Sequence, residues 1–137
     1  MLAVIALGGN ALLQHNQAGT IDEQEQNATD TLEKIVFLIR KGYNIIITHG
    51  NGPQIGNILM QGDAGEQIYN IPQMPIDICV ADSQGGIGYM IERMLRNVLK
   101  NHHISREVVS LITLTLIDPA DPAFQNPTKR IGRIYSE

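Results

Sequence analysis

The sequence predicts an α/β fold built on a parallel β-sheet, and three observations support this prediction. Leu2 to Leu7 is a short apolar run, typical of a strand buried on both faces. A second run, Asn44 to Thr48, follows a segment with helical periodicity. Each run leads into a glycine-containing turn. Because the crossover of a βαβ unit is nearly always right-handed, the two strands should be parallel neighbours.

The first long helix is predicted between a capping box and a basic, glycine-containing end. Thr20 and Glu23 have the capping-box spacing. Arg40-Lys41-Gly42 has the composition of a helix C-terminus. Between them, apolar residues recur every three or four positions and form one stripe that can pack on a sheet. These residues are Ala28, Leu32, Ile35, Val36 and Ile39.

Two further helices and a third strand are predicted along the chain. One helix begins near Pro53, since proline suits the first helical turn, and ends at about residues 62–67. Another runs from about Asp77 to Asn101. The pair Gly85-Gly86 inside it predicts close approach of another helix or of a ligand. Val108 to Ile117 is predicted as the third strand.

The composition excludes several classes of partner. The chain has 137 residues, enough for one ordinary domain, and a formal net charge of −4. The negative net charge predicts no basic surface for nucleic acid. The chain has no tryptophan and only two phenylalanines, so an aromatic stacking platform for nucleic acid is not expected either. No run approaches the roughly 20 apolar residues that span a membrane. The single cysteine, Cys79, fits a reducing compartment, and a cytoplasmic protein is expected.

The last twenty residues, 118–137, differ in character from the rest. They contain repeated prolines and show no helical or strand periodicity. Such a segment has no core of its own. A three-stranded sheet is also small against the usual four to six strands. We therefore expect this chain to be part of a larger protein.

Two glycine turns are the best candidates for chemistry. Gly8-Gly9-Asn10 follows the first strand and Gly50-Asn51-Gly52 follows the second. Parallel strands place both turns at one carboxyl edge, where open α/β sheets bind ligands. Glycine turns and helix N-termini let backbone amides approach a small anion. The alternative, that these glycines only turn the chain, stays open on spacing alone.

Other motifs restrict the kind of site. There is no P-loop, and Gly50, Gly52 and Gly56 are spaced one residue too widely for the dinucleotide fingerprint, which leaves that cofactor a weak alternative. On spacing alone Lys129 is a solvated charge in a polar loop. His49 could act as an acid or base, but no carboxylate partner is evident. No metal-ligand spacing is present.

Four motifs, in order, resemble the carbamate kinases of the amino-acid kinase superfamily. They are Ala-Leu-Gly-Gly-Asn-Ala-Leu (6–12), Thr-His-Gly-Asn-Gly-Pro-Gln-Ile-Gly (48–56), Ser-Gln-Gly-Gly-Ile-Gly-Tyr (83–89) and Asp-Pro-Ala-Asp-Pro-Ala-Phe-Gln-Asn-Pro-Thr-Lys (118–129). The resemblance implies a three-layer αβα sandwich with a mainly parallel sheet, here incomplete. It implies reversible phosphoryl transfer between ATP and carbamate, commonly in arginine catabolism, with Mg²⁺ and a homodimer.

The resemblance also implies a division of the chain. Residues 1–117 would form the N-terminal domain that binds carbamate or carbamoyl phosphate. Residues 118–137 would begin a protruding subdomain. The C-terminal half, which would hold most of the site for ATP or ADP with Mg²⁺, would be absent from this chain.

The same resemblance implies a role for each matching residue. Gly8, Gly9 and Asn10 would lie near the transferring phosphoryl group. Gly50, Asn51 and Gly52 would bind the carbamoyl end. Lys129 would be the catalytic lysine that offsets charge on the phosphoryl oxygens.

Some positions depart from the family pattern. Arg130 and Arg133 stand where family members commonly have proline. These departures allow a carbamate-kinase-like paralogue in another carbamoyl phosphate pathway. A non-catalytic half-chain that binds a small anion or dimerises is a second alternative. A kinase acting on acetylglutamate or glutamate is disfavoured by the Asn-Pro-Thr-Lys segment.

Overall fold

The computed structural model describes residues 1–14 and 16–128. The side chain of Asn10 and all of Lys129, Arg130 and Arg133 lie outside the described part. The described elements are β1 (Leu2–Leu7), α1 (Gly9–Leu12), α2 (Ile21–Arg40), β2 (Asn44–His49), α3 (Gly52–Tyr69), α4 (Ile76–Asn101) and a 3₁₀ turn (Pro122–Phe124).

The two predicted strands pair as predicted. β1 and β2 are parallel, in register from Leu2 opposite Asn44 to Leu7 opposite His49. The Gly50 amide donates to the Leu7 carbonyl at 3.4 Å, just beyond the last pair. The strands therefore end side by side, and the segments that follow them begin at one edge of the sheet.

Helix α2 begins where the capping box predicts. The Glu23 amide donates to Thr20 Oγ1 at 3.3 Å, and the Thr20 amide donates back to Glu23 Oε2 at 3.0 Å. These hydrogen bonds, above all the one from the Thr20 backbone, hold the pKa of Glu23 below its ordinary value. The predicted apolar stripe of α2 is buried at all five positions. The sequence pattern thus identified both the start and the packing face of this helix.

The core lies between one face of the sheet and the helices α2 and α4. Leu7 belongs to the core cluster, and Ile5, Ile45 and Ile47 pack against it. On the opposite face Val4 and other apolar side chains are exposed. Burial of both sheet faces was predicted, but among the described residues only the face toward α2 and α4 is covered. α4 contributes Ile87, Met90, Ile91, Met94, Leu95, Val98 and Leu99 to the core.

The predicted third strand, Val108–Ile117, is wrong as a paired strand. The described residues form a two-stranded sheet, and residues 104–117 take part in no ladder. The segment lies against α4 instead, where Ser110 Oγ lies 2.9 Å from the Gly88 carbonyl oxygen and the Thr113 amide donates to Gln84 Oε1 at 2.9 Å. A strand needs a backbone partner, and α4 offers only side chains and occasional carbonyls.

This segment approaches α4 most closely at Gly88, and not at Gly85 and Gly86, where a close approach was predicted. A Cβ added at Gly88 would lie 3.3 Å from Ser110 Cβ, and one at Gly85 would lie 3.8 Å from Ile112 Cδ1. At Gly86 an added Cβ would meet no described atom within 4 Å. The neighbour is an extended segment, rather than the helix or ligand that was expected.

A groove separates the segment from β2. Its volume is about 480 Å³, and it is lined by all six residues of β2, by residues 106–111 and by apolar side chains of α4. Beyond it Leu114 and Leu116 are 100% and 99% exposed. The lining is mostly apolar, and the groove follows a strand edge that carries no partner among the described residues. We therefore place the candidate site at the glycine turns and not in this groove.

Glu92 connects the 108–113 segment to α4. Its carboxylate accepts from Ser110 Oγ at 2.9 Å and from Arg96 Nε at 3.1 Å. The Ser110 hydrogen bond, followed by that of Arg96, lowers the pKa of Glu92. A lowered pKa in the folded state contributes stability above the ordinary carboxyl pKa, and this stability is lost as the pH falls through the lowered value.

We expect Glu92→Gln to reduce stability at pH 7 and to have no effect well below about pH 4, where both forms are uncharged. Urea unfolding at several pH values measures this difference. Glu107→Gln is the matched control, because Glu107 is 91% exposed and only reaches Arg96 at 3.5 Å. An effect of Glu92→Gln that persists unchanged at low pH would contradict the assignment.

Candidate functional site

The structure brings the two predicted glycine turns together. β1 and β2 end at the paired residues Leu7 and His49, so Gly8 and Gly50 follow in adjacent strands at the same edge. Gly8 precedes α1, and Asn51 is the N-cap of α3. Four glycines and the N-terminus of an 18-residue helix therefore share one end of the sheet.

Neither backbone conformation nor packing among the described residues requires glycine at these positions. Gly19 and Gly42 are the glycines with positive φ in the part of the chain that the structure describes. At Gly8, Gly9, Gly50 and Gly52 an added Cβ would meet no described atom within 4 Å. The missing side chains leave open space above the sheet edge. This favours the ligand interpretation over the alternative that the glycines only turn the chain.

Backbone donors at this edge are divided between the sheet and the helix. The Gly50 amide is engaged by the Leu7 carbonyl, so Gly50 contributes space rather than a donor. The first amides of a helix have no intrahelical partner. In α3 these belong to Gly52 and Gln54, since Pro53 has no N–H, while the Ile55 amide closes the first turn on the Asn51 carbonyl at 3.0 Å. Free amides and the helix dipole favour an anion here.

Asn51 is held by α4 through a short chain of hydrogen bonds. Its Nδ2 donates to Ser83 Oγ at 2.7 Å, and Ser83 Oγ donates to the Val80 carbonyl at 2.7 Å. Ser83 is 4% exposed and lies between Cys79 and Ile87 on the buried stripe of α4. The sequence reasoning gave Ser83 no role. A small polar residue within an apolar stripe is the signal that could have identified it.

Buried amide side chains of α2 hold the other elements of the site. Asn27 Nδ2 donates to the Leu12 carbonyl at 3.1 Å, which ties the end of α1 to α2. Gln54 Nε2 donates to Gln24 Oε1 at 3.0 Å, which ties the first turn of α3 to α2. Gln24 and Asn27 are both buried. Sequence reasoning missed them because it followed only the apolar positions of the helix.

The remaining predicted residues have less structural definition. His49 Nδ1 lies 3.2 Å from the Gly50 carbonyl, and no carboxylate contacts its ring among the described residues. Asn10 lies in α1, with its side chain outside the described part, and Lys129 lies outside it altogether. Their predicted roles therefore stay predictions.

The described residues do not form a magnesium site. Mg²⁺ binds through oxygen ligands, typically one or two carboxylates with waters and phosphates. Within residues 1–14 and 16–128, no three His, Cys, Asp or Glu side chains form a group that could hold a metal ion. None of these residues is assigned a role toward the metal. In the same part of the chain, no helix combines the length and apolar character needed to cross a membrane.

Comparison with known proteins gives consistent matches. The sequence model of the Amino acid kinase family matches residues 1–132. A carbamate kinase of Pyrococcus horikoshii is 54% identical over 134 residues, which cover 98% of this chain and 43% of that protein. The carbamate kinase-like protein YahI of Escherichia coli is 36% identical, covering 99% and 43%. The chain thus spans about 43% of the length of these curated relatives.

The structural comparison agrees. The solved structure of carbamate kinase from Giardia lamblia bound to AMP-PNP has a TM-score of 0.91 with this chain at 43% sequence identity. The match covers 99% of this chain and 42% of that one. The α/β fold predicted from the sequence is therefore confirmed as the fold of a known group of structures.

We expect Gly8→Ala to leave stability within about 0.5 kcal/mol of the wild type, or to raise it slightly by restricting the unfolded chain. Gly8 has φ −70° and ψ 171°, which any residue adopts. Gly42→Ala is the matched control, because φ is +82° there, and it should cost about 1–2 kcal/mol. Urea unfolding of both variants tests the pair. A loss at Gly8 as large as that at Gly42 would show that Gly8 is needed for folding.

Proposed function

The chain belongs to the amino acid kinase family, and we propose that it is the N-terminal portion of a carbamate kinase. The complete enzyme would transfer a phosphoryl group reversibly between ATP and carbamate. The observation that carries this proposal is the open space at Gly8, Gly9, Gly50 and Gly52. Neither backbone conformation nor packing among the described residues requires glycine at these four positions. The space lies beside the free amides of α3, at the edge where α/β sheets bind ligands.

The chemistry of this reaction suits such a site. Carbamate is already an anion, so its attacking oxygen needs no general base. Catalysis of phosphoryl transfer is then mainly positioning and charge stabilisation. Open space at the glycines allows the substrate to be positioned, and backbone amides stabilise its charge, so no acid or base side chain is needed. His49 accordingly has no assigned step.

The residue roles follow the order of the site. Gly8, Gly9 and Asn10 would lie near the transferring phosphoryl group. Gly52 and Asn51 would contact the carbamoyl end, with Gly50 leaving the space for it. Lys129, reaching the site from the 118–137 segment, would offset charge on the phosphoryl oxygens.

The rest of the protein would supply the nucleotide half. ATP or ADP with Mg²⁺ would bind mainly there, and the AMP-PNP bound to the Giardia lamblia enzyme supports nucleotide binding in this group. In this division, residues 1–117 form the domain for carbamate or carbamoyl phosphate. We further propose a cytoplasmic homodimer that acts in arginine catabolism.

Two other functions differ in their support. A stand-alone half-chain that binds an anion or dimerises without catalysis is disfavoured, because Val4 on the bare sheet face and Leu114 and Leu116 beyond the groove are strongly exposed. Large exposed apolar surfaces of this kind are normally covered by another part of the protein or by a partner. A carbamate-kinase-like paralogue is supported by Arg130 and Arg133 and by the similarity to YahI.

The test is ATP formation from ADP, Mg²⁺ and carbamoyl phosphate by the complete enzyme. We expect robust turnover, and none from the 137-residue chain alone. Gly8→Ala should reduce kcat/KM about 10²-fold, since a Cβ in the phosphoryl space displaces the reacting groups. Gly42 lies away from the site, so Gly42→Ala should leave the kcat/KM of the folded enzyme unchanged. A complete enzyme that forms no ATP would overturn the proposal.

Lys129→Ala in the complete enzyme should reduce kcat about 10²–10³-fold, because a cation aimed at the transferred group would be lost. The unfolding midpoint should not change. Lys34→Ala is the matched control, since Lys34 is an exposed lysine of α2 that is assigned no part in the site. Full turnover by Lys129→Ala would remove this lysine from the site.

A further inference from the structure

We infer that Ser83 is a positioning residue that fixes the orientation of the Asn51 amide, so that Asn51 Oδ1 accepts a hydrogen bond from the amino group of the substrate. This inference rests on the function proposed above and adds a determinant of specificity to it. It follows from the hydrogen-bond capacity of three groups: the Val80 carbonyl, the Ser83 hydroxyl and the Asn51 side chain.

The direction of the hydrogen-bond chain is set by the Val80 carbonyl. A carbonyl only accepts, so at 2.7 Å the single hydroxyl proton of Ser83 must point toward it. Ser83 Oγ can then only accept from Asn51, also at 2.7 Å. The Asn51 atom at this contact must be the donor, Nδ2. The carbonyl oxygen, Oδ1, is thereby directed away from Ser83.

Asn51 forgoes the ordinary function of its position. An asparagine at the N-cap usually accepts from the second or third amide of the helix, a bond worth about 1 kcal/mol. The Asn51 side chain makes no such cap bond in α3. No described residue donates to its Oδ1. The arrangement therefore leaves two kinds of group available at one helix end: free backbone donors and a side-chain acceptor.

A carbamoyl group matches this combination. Its oxygens accept hydrogen bonds from the amides of α3, and its –NH₂ donates to Oδ1. The acetyl group is nearly isosteric but has a methyl group in place of –NH₂, so it would leave Oδ1 without a donor. A site built to bond an N–H discriminates strongly against an analogue that lacks it. The amide orientation fixed by Ser83 would thus select for carbamoyl over acetyl phosphate.

The burial of Ser83 explains why the orientation is held. Its hydroxyl lies on the buried stripe of the 26-residue helix α4 and is satisfied by two partners. A buried hydroxyl that loses a partner is costly, so rotation of Ser83 is disfavoured. Asn51 is therefore positioned by a residue of α4 that lies 32 positions further along the chain.

The experiment uses the complete enzyme and two ligands. The KM for carbamoyl phosphate is measured with ADP, and acetyl phosphate is measured as a competitive inhibitor through its Ki. In Ser83→Ala the Asn51 amide can rotate, so we expect the ratio Ki/KM to fall about tenfold, mainly through a higher KM. Ser83→Thr should restore the ratio, because a helical threonine Oγ1 can bond the same preceding carbonyl.

A double-mutant cycle with Asn51→Ala separates positioning from a merely structural effect. If Ser83 acts through Asn51, Ser83→Ala should not change Ki/KM further once Asn51 is alanine. A wild-type ratio in Ser83→Ala, or a further fall in the Asn51→Ala background, would overturn the inference. If Ser83→Ala does not fold, Asn51→Ala alone decides, since an unchanged ratio there overturns the inference equally. A wild-type enzyme that forms no ATP would defeat the proposed function itself.

Discussion

The parallel pairing of β1 with β2 is the constraint on which the rest of the structure depends. The register from Leu2 opposite Asn44 to Leu7 opposite His49 makes both strands end at one level. A shift by one residue would exchange the buried and exposed faces of a strand and move one glycine turn away from the other. Because one side of each strand packs on α2 and α4, this shift would expose Ile5 or Ile47. Core packing thus aligns the candidate site.

Buried polar side chains transmit this alignment to the turns. Asn27 holds the end of α1, Gln24 holds the first turn of α3, and Ser83 holds Asn51. Each is a polar residue placed within an otherwise apolar helix face, where it is tolerated only with its hydrogen bonds made. Among the described residues, no buried side-chain nitrogen or oxygen lacks a partner. The turns can carry glycines because helices α2 and α4, rather than the turns themselves, supply the rigidity.

The described part of the chain leaves apolar surface open in two places. One face of the sheet exposes Val4, and the segment beyond the groove exposes Leu114 and Leu116. Both follow from strand-like sequences that have no further strand or helix against them here. Since the curated relatives extend over more than twice the matched length, we interpret these surfaces as the contact faces for the rest of the protein.

The sequence by itself determined the features that depend on local pattern. Apolar runs identified β1 and β2, the capping box and the apolar stripe identified α2, and the glycine turns identified the sheet edge that the structure assembles. Only the tertiary structure showed that Val108–Ile117 is unpaired among the described residues, because a strand requires a neighbouring strand and the sequence of an extended segment does not indicate whether it has one. It alone decided the orientation of the Asn51 amide as well. The contact responsible, with Ser83, joins residues far apart in the chain, and side-chain hydrogen bonds at such separation leave no periodic signal in a sequence.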